Sequence, residues 1–147
     1  MLKKILFASA LLSSSLSGNV IANNDTCENA LLKKIPISSP EGVLQMPEIQ
    51  ALIQYGMVLA NNPDISLEIV GTTDQDGTEM YNLGRAEMWL AQAKRHLLTA
   101  GANEEQLILL SVGESYILSG QMPPENALLP ELKKASGERV ELDCLII

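Results

Sequence analysis

The 147-residue sequence contains few of the residue types that most often carry chemistry. It has one histidine, two cysteines, one tryptophan, three tyrosines and one phenylalanine. A single histidine excludes most histidine-rich metal sites, and the scarcity of aromatic side chains indicates an aliphatic core. No serine or cysteine lies in a nucleophile motif with a base beside it. We therefore expect no catalytic residue, no resident metal and no cofactor, and we expect that the protein is not an enzyme.

Basic residues are also in the minority, with 10 Lys and Arg against 18 Asp and Glu and a net charge of −8. This balance argues against nucleic acid and anionic membrane surfaces as partners, because both attract basic patches. The hydrophobic fraction of 46% is ordinary for a globular chain and too high for a disordered one. The length fits a single domain. The composition therefore predicts one acidic, globular domain.

The first residues have the pattern of a secretory signal peptide rather than of a folded element. Lys3 and Lys4 precede the apolar run Ile5–Leu12, which small residues follow. This run is far shorter than the roughly 20 residues that span a bilayer, so we expect it to be cleaved and not to anchor the chain. We predict a signal peptide at residues 1–22, a flexible polar lead-in at residues 23–30 and no transmembrane segment in the mature chain.

The two cysteines, Cys27 and Cys144, both remain in the chain after such a cleavage. Cys27 does not fit the lipidated cysteine of a lipoprotein, because the preceding residues Asn24, Asp25 and Thr26 are polar. Disulfides persist in the oxidising compartments that exported proteins reach, so a Cys27–Cys144 bridge is one expectation. Two separate buried thiols remain the alternative.

Hydrophobic periodicity along residues 31–147 predicts four strands and two helices. The strands are expected at Leu31–Ile37, Ile65–Gly71, Leu107–Val112 and Val140–Ile146, and the helices at Pro47–Ala60 and Ala86–Ala100. The order strand, helix, strand, helix, strand, strand predicts an α/β fold. We expect a βαβαββ sandwich with two helices packed on one face of a mixed four-stranded sheet.

Proline, glycine and polarity patterns refine the boundaries of these elements. Pro36 lacks a backbone donor and restricts the first strand to an edge or a bulge. The polar segment 72–82 is expected to be a loop, and Gly101 to end the second helix. The third strand is almost continuously apolar, which is typical of a strand covered on both faces. Within the long connection 113–136 we expect a helical turn near Leu128–Lys134.

A series of short motifs between Asn62 and Gly113 resembles the signature of a known family. The motifs are Asn62-Pro63, Gly71-Thr72-Thr73-Asp74, Gly77, Tyr81-Asn82, Gly101 and Ser111-Val112-Gly113. Their spacing is similar, without gaps, to that of the OmpA-like domain of envelope proteins (the OmpA C-terminal domain, Pal and MotB). That family has N-P, a strand ending G-H-T-D, then G, Y-N, a helix and G. Gly137–Glu141 stands where the family has N-R-R-V-E, so the resemblance covers roughly residues 35–147.

The resemblance implies a periplasmic module that holds peptidoglycan noncovalently through the diaminopimelate of its stem peptide. That zwitterionic end group needs a carboxylate and a guanidinium at a fixed separation. In the family, the Asp of G-H-T-D and an Arg of the helix pattern N-x-x-L-S-x-x-R-A have these roles. Asp74 matches the Asp, but Trp89 stands at the Arg position. Arg85 precedes Trp89 by one turn on about the same helix face, roughly 6 Å away, within partial reach of a long side chain.

The ligand-binding candidates that the resemblance implies are Asp74, Asn82, Arg85 and Arg139. Each has a plainer alternative. Asp74 can be a loop carboxylate that accepts backbone hydrogen bonds, and Asn82 can cap the second helix. Arg85 can be solvated near the helix start, and Arg139 can form a salt bridge with acidic neighbours. Trp89 is expected to be partly buried, or else to be a surface anchor for a partner protein.

Two functional hypotheses follow from the resemblance. In the first, the protein lies in the periplasm of a Gram-negative bacterium, associated with the outer membrane or cell wall, and binds the peptidoglycan stem peptide. In the second, the fold has lost peptidoglycan binding, because Trp89 and Glu138 replace family arginines. It then serves as a protein-interaction subunit of an envelope or secretion assembly, with other envelope proteins as partners.

Overall fold

The computed structural model describes residues 31–74, 76–113 and 125–140. The predicted signal peptide, the polar lead-in, both cysteines and most of the predicted last strand lie outside these ranges. The disulfide and the domain boundaries before residue 31 therefore stay predictions. Within the described residues, neither helix is both long and apolar enough to cross a membrane.

One mixed sheet with two helices forms the fold. In chain order the elements are β1 at Ile35–Pro36, α1 at Met46–Asn61, β2 at Ile65–Thr72, α2 at Glu79–Thr99, β3 at Leu107–Gly113 and β4 at Ala127–Lys134. The order across the sheet is β1-β4-β2-β3. β2 runs parallel to β3 and antiparallel to β4, and β4 is also antiparallel to β1. The predicted βαβαββ sandwich is confirmed, and Pro36 lies in an edge strand as its missing donor requires.

The predicted boundaries of α1 and the predicted end of α2 agree closely with the structure, but α2 begins at Glu79 and not at the predicted Ala86. Pro47 lies in the first turn of α1, where its missing N–H costs no intrahelical hydrogen bond. The Thr78 hydroxyl oxygen caps α2 by accepting a backbone N–H of the first turn at 3.2 Å. Gly101 follows the last turn with a φ of +111°, a conformation that glycine tolerates. The loop that was expected at residues 72–82 therefore ends at Thr78. Thr78, and not Asn82, caps the N-terminus of α2.

The core lies between the helices and the sheet and is mainly aliphatic, as the composition predicts. Its large, fully buried aliphatic members are Ile35, Leu52, Leu59, Leu67, Ile69, Leu97 and Leu128. α1 and α2 approach closely at Gly56, where an added Cβ would lie 2.5 Å from the Cβ of Ala100. Removal of this aliphatic surface from water is the main stabilising contribution to the fold.

Two predictions about individual strands are wrong. The segment expected to form a helical turn belongs to β4, because it pairs with β2 along the whole strand. Pro130 fits there because β1 pairs only with the first two residues of β4, so β1 does not need the N–H that proline lacks. β3 lies at a sheet edge rather than under cover on both faces, and its residues Ile108 and Leu110 are 42% and 44% exposed.

Candidate ligand-binding site

The candidate site lies at one end of the sheet, where β2 ends and β4 begins. Thr72, the last residue of β2, pairs with Ala127, the first residue of β4. This pairing places Asp74 beside Asn126. The backbone N–H of Asp74 donates to Asn126 Oδ1 at 3.2 Å, and Asn126 Nδ2 donates to Asp74 Oδ2. The sheet register therefore fixes Asp74 through both its backbone and its carboxylate.

Arg85 reaches this carboxylate from the second turn of α2. Its Nη2 donates to Asp74 Oδ1 at 2.7 Å and to Asn82 Oδ1 at 2.9 Å. The Arg85 side chain is 8% exposed and that of Asp74 is 30% exposed, so the guanidinium is buried beside a partly exposed carboxylate. Arg85 therefore contacts Asp74 instead of extending into solvent, and the alternative of a solvated Arg85 is wrong.

Two aromatic rings lie over the Arg85 guanidinium. Its Cζ is 5.2 Å from the Tyr81 ring centroid and 5.7 Å from that of Trp89, distances at which a cation is attracted to the ring face. The three residues follow at steps of four and so share one face of α2. Trp89 is fully buried because this face packs on the core. Trp89 is thus buried more completely than the expected partial burial, and the alternative of a surface anchor for a partner is wrong. Tyr81, by contrast, is 48% exposed.

The Asp74 carboxylate is held in its charged form. Partial burial raises its pKa, but hydrogen bonds from Arg85 and Asn126, the charge of Arg85 and a backbone hydrogen bond from Asp76 together outweigh burial. The pKa of Asp74 consequently lies below its usual value. The site thus presents a negative group at the surface and a cation behind it. In the described part of the chain, no three His, Cys, Asp or Glu side chains gather into a metal-binding group.

The loop between Asp74 and α2 depends on one glycine. Gly77 has a φ of +101°, which side chains other than glycine's rarely allow. A Cβ at this position would lie 2.7 Å from Cδ1 of Tyr81, so any other residue would displace the ring that covers Arg85. The predicted loop glycine therefore helps to set the position of Tyr81.

Several buried polar atoms at the site have no hydrogen-bond partner among the described residues. They are Thr73 Oγ1, Asn82 Nδ2, Arg85 Nε and Trp89 Nε1, and elsewhere in the described ranges only Glu48 Oε2 shares this property. Buried polar atoms are normally paired. Their concentration in Thr73 and in one face of α2 distinguishes this region from the rest of the described core.

The structure brings together three of the four predicted ligand-binding residues. Asp74, Asn82 and Arg85 form one hydrogen-bonded cluster. Asn82 is fully buried and lies inside α2 rather than capping it. Arg139 follows the far end of β4, where its Nε lies 3.4 Å from a Glu131 carboxylate oxygen. Arg139 therefore lies apart from the other three candidates and forms the salt bridge that its plainer alternative predicts.

Sequence reasoning missed Asn126, which bonds both the backbone and the carboxylate of Asp74. The last strand was expected at Val140–Ile146, which put Arg139 just before the strand and left Asn126 inside a long connection. In the structure the strand that pairs with β2 starts at Ala127. The only sequence signal for Asn126 is thus its position directly before β4. This position can be recognised only when the pairing of β4 with β2 is known.

Comparisons with known proteins agree with this architecture. No protein-family model and no curated protein sequence matches the chain. The solved peptidoglycan-associated lipoprotein of Burkholderia pseudomallei is similar over 57% of this chain and 71% of its own, at 24% identity and a TM-score of 0.53. The OmpA-like domain of FopA1 from Francisella tularensis is similar over 74% of each chain, at 15% identity and a TM-score of 0.54. The periplasmic domain of Helicobacter pylori MotB is similar over 69% of this chain and 72% of its own, at 17% identity and a TM-score of 0.51. Together these structures show that the chain has the OmpA-like fold.

Proposed function

We propose that this chain is a non-catalytic domain in the periplasm of a Gram-negative bacterium and that it binds peptidoglycan noncovalently through the diaminopimelate of the stem peptide. Association with the outer membrane or cell wall is part of the proposal. The fold is similar to that of a peptidoglycan-associated lipoprotein and of a periplasmic domain. The single observation that carries the proposal is the contact between Asp74 and Arg85 at the end of the sheet.

The Asp74–Arg85 pair has the chemistry that a zwitterionic end group requires. A ligand ammonium can bind the Asp74 carboxylate, whose Oδ2 accepts one hydrogen bond in the described part of the chain. The ligand carboxylate can bind the Arg85 guanidinium. Because the two protein charges already neutralise each other, a ligand of one sign gains little net attraction. A zwitterion replaces one charge-assisted contact by two, which supports recognition of an amino-acid end group.

Arg85 supplies the cation from a different position than the resemblance implies. In the pattern N-x-x-L-S-x-x-R-A, counted from Asn82, the leucine falls on Arg85 and the arginine falls on Trp89. The cation and the bulky apolar side chain have thus exchanged places on consecutive turns of α2. Since both positions lie on one helix face, the exchange keeps a cation beside Asp74 and a large apolar group in the core.

Sedimentation with purified sacculi tests the proposal. We expect the wild-type protein to sediment with the sacculi, free diaminopimelate to compete, and Asp74→Ala to weaken binding at least tenfold. Asp64→Ala is the matched control, because it removes an exposed carboxylate of the same charge outside the site, and it should sediment as the wild type does. A wild-type protein that stays in the supernatant, or an Asp74→Ala variant that sediments equally well, contradicts the proposal.

A double variant tests the exchange of the cation and the apolar group directly. Arg85→Leu alone should lose sacculus binding, and Arg85→Leu combined with Trp89→Arg should recover it, because the combination restores the order in the family pattern. Circular dichroism and urea unfolding show whether both variants fold. If the double variant folds and binds no better than Arg85→Leu alone, Arg85 is not the counterpart of the family's arginine.

A second candidate function, a protein-interaction subunit of an envelope or secretion assembly, is favoured by the solvent face of α1. Met46, Ile53 and Met57 on this face are 62%, 38% and 40% exposed, and the only charged residue of the helix, Glu48, is buried. Such an uncharged apolar stripe suits contact with an apolar surface of a partner protein. Ile53→Glu should then abolish co-purification of a stable partner from envelope extracts and leave sacculus sedimentation unchanged. Extracts that yield no stable partner count against this candidate.

A further inference from the structure

Three buried N–H donors on one face of α2 have no acceptor among the described residues. They are Asn82 Nδ2, Arg85 Nε and Trp89 Nε1. Their spacing of three and four residues makes them neighbours on the helix surface, and all three residues are more than nine-tenths buried. The other unpaired buried atoms in the described ranges are Thr73 Oγ1, which follows β2, and Glu48 Oε2 in α1. The group on α2 therefore needs its own explanation.

Arg85 Nε is part of the guanidinium that carries the positive charge of the site, and the side chains of the other two donors lie beside this guanidinium. Asn82 accepts from Arg85 Nη2 through Oδ1 at 2.9 Å, which leaves the amide nitrogen of Asn82 as an additional donor. The Trp89 ring centroid is 5.7 Å from Arg85 Cζ. A buried donor without an acceptor is costly, and the described oxygens near Arg85 already bond its Nη2. The three donor atoms are almost inaccessible to solvent, so an acceptor from outside the described residues reaches them only when a neighbouring side chain moves.

We propose that these N–H groups receive the carboxylate of the zwitterionic ligand, with Trp89 as a hydrogen-bond donor at the position where the resemblance has an arginine. This inference rests on the peptidoglycan binding proposed above. A carboxylate only accepts hydrogen bonds and has about four lone-pair directions on its two oxygens, which is enough for three donors. The ammonium of the same ligand then faces Asp74. Trp89 is thus a binding residue and not only a core residue.

The ligand reaches these atoms past Tyr81. The Tyr81 ring covers one side of the Arg85 guanidinium at 5.2 Å and is 48% exposed. Its hydroxyl lies 3.5 Å from Glu41 Oε1, a weak contact by the usual limits for O–H donors. Exposed side chains change rotamer within nanoseconds. Rotation of Tyr81 would uncover this side of the guanidinium, and in the proposal the ligand carboxylate enters there.

Nuclear magnetic resonance tests the inference on a single signal, because Trp89 is the only tryptophan and its indole N–H gives one cross-peak. We expect titration with a stem tripeptide that contains diaminopimelate to move this cross-peak downfield. The same tripeptide with lysine in place of diaminopimelate keeps the side-chain ammonium but lacks the carboxylate on the carbon that bears it, and it should leave the cross-peak in place. Backbone signals around Asp74 that respond to the diaminopimelate peptide while the indole signal does not would overturn the inference.

Two conservative variants measure the contribution of the donors by calorimetry with the same tripeptide. Trp89→Phe removes the N–H and keeps an aromatic ring, and we expect about tenfold weaker binding, the effect of one hydrogen bond to a charged group. Asn82→Asp keeps the oxygen that accepts from Arg85 and replaces the donor nitrogen by an oxygen, so it should weaken binding more than tenfold. Tyr55→Phe is the control, because it removes a buried aromatic polar atom that bonds Leu32, and it should bind as the wild type does.

The outcomes separate this inference from the function on which it rests. A wild-type protein that binds neither sacculi nor the tripeptide contradicts peptidoglycan binding and the carboxylate site together. A wild-type protein that binds, with Trp89→Phe and Asn82→Asp binding equally well, contradicts the carboxylate site alone. If Trp89→Phe does not fold, the indole titration and Asn82→Asp still decide the question.

Discussion

The two ends of α2 lie beside buried polar side chains that are bonded very differently. At the C-terminal end, Gln106 is 5% exposed. Its Nε2 donates to the carbonyl oxygens of Leu59 and Asn62 at 3.0 Å and of Ile65 at 2.8 Å, and its Oε1 accepts the Asn103 N–H at 3.0 Å. One amide thereby joins the end of α1, the start of β2 and the turn before β3.

At the N-terminal end of α2, Arg85 is equally buried, but its surroundings are incompletely bonded. Its own Nε, Asn82 Nδ2 and Trp89 Nε1 have no acceptor in the described part of the chain. A fully paired polar group stabilises the fold, whereas unpaired donors cost stability and call for an explanation such as a missing ligand or water. Variants can therefore separate a stabilising role of Gln106 from the binding role proposed for Arg85.

Gln106→Ala is expected to have the largest effect on stability. It removes four hydrogen bonds that join the end of α1, the start of β2 and the turn before β3, and it leaves the carbonyl oxygens of Leu59, Asn62 and Ile65 without this donor. We expect the free energy of unfolding to fall by about 3 kcal/mol, since each such hydrogen bond contributes about 1 kcal/mol and unpaired groups cost more. Urea unfolding followed by circular dichroism measures the change. Gln54→Ala, which removes an exposed amide on α1, should change stability by less than about 0.5 kcal/mol. Equal effects of the two variants would contradict the structural role of Gln106.

Arg85→Met is expected to destabilise the protein by only about 1 kcal/mol, although it removes a buried charge. Breaking a buried ion pair usually costs more, because the remaining charge is left unpaired. Here Asp74 is 30% exposed and keeps two other hydrogen bonds, and methionine retains the aliphatic contact with the neighbouring rings. The same unfolding measurement checks this, with Arg95→Met as the exposed control on α2. A loss as large as that of Gln106→Ala would make Arg85 chiefly structural and would favour the protein-interaction candidate.

Most of the fold is predictable from the sequence because its signals are local. The alternation in β2, the periodicity of both helices and the glycine at Gly101 each depend on residues a few positions apart. β4 is not predictable in this way. Its leucines, Leu128, Leu129 and Leu132, are spaced as suits a helical turn, and pairing with β2 decides the strand instead. The apolar run of β3 likewise does not reveal that the strand lies at an edge, because sheet order is a property of the whole fold.

The site is predictable only in part, because some of its residues are positioned by local sequence and others by tertiary contacts. Asp74 follows from a motif, and the approach of Arg85 follows from the length of its side chain and the pitch of a helix. The burial of Trp89 depends on which face of α2 the core covers. The positions of Asn126 and Arg139 depend on where the strand beside β2 begins, which no local pattern indicates. The residues that sequence reasoning misplaced are therefore those positioned by tertiary contacts.

Asp74→Asn is expected to have a smaller effect that depends on pH. Burial raises the pKa of Asp74, but the hydrogen bonds and charge of Arg85 and the amide of Asn126 outweigh burial and hold that pKa below its value in the unfolded chain. The carboxylate therefore stabilises the fold above the unfolded pKa of about 4, and this contribution is lost as the pH falls through the folded pKa. We expect the wild type to exceed Asp74→Asn by about 0.5 kcal/mol at pH 7 and the difference to vanish in acid. Urea unfolding from pH 7 to pH 2.5 measures it, and a difference that stays constant would contradict the charge pairing.

Arg139→Ala is expected to have the smallest effect. Its side chain is 62% exposed and its Nε lies 3.4 Å from Glu131, a surface ion pair of the kind that contributes little to stability. Because Arg139 follows the end of β4 that is opposite Asp74, sedimentation with sacculi should be unchanged, whereas Arg85→Met should lose binding in the same assay. If Arg139→Ala lost sacculus binding and Arg85→Met kept it, the cation that recognises the ligand would lie at the other end of the sheet. The unpaired donors beside Arg85 would then only lower the stability of the fold and would not bind a ligand.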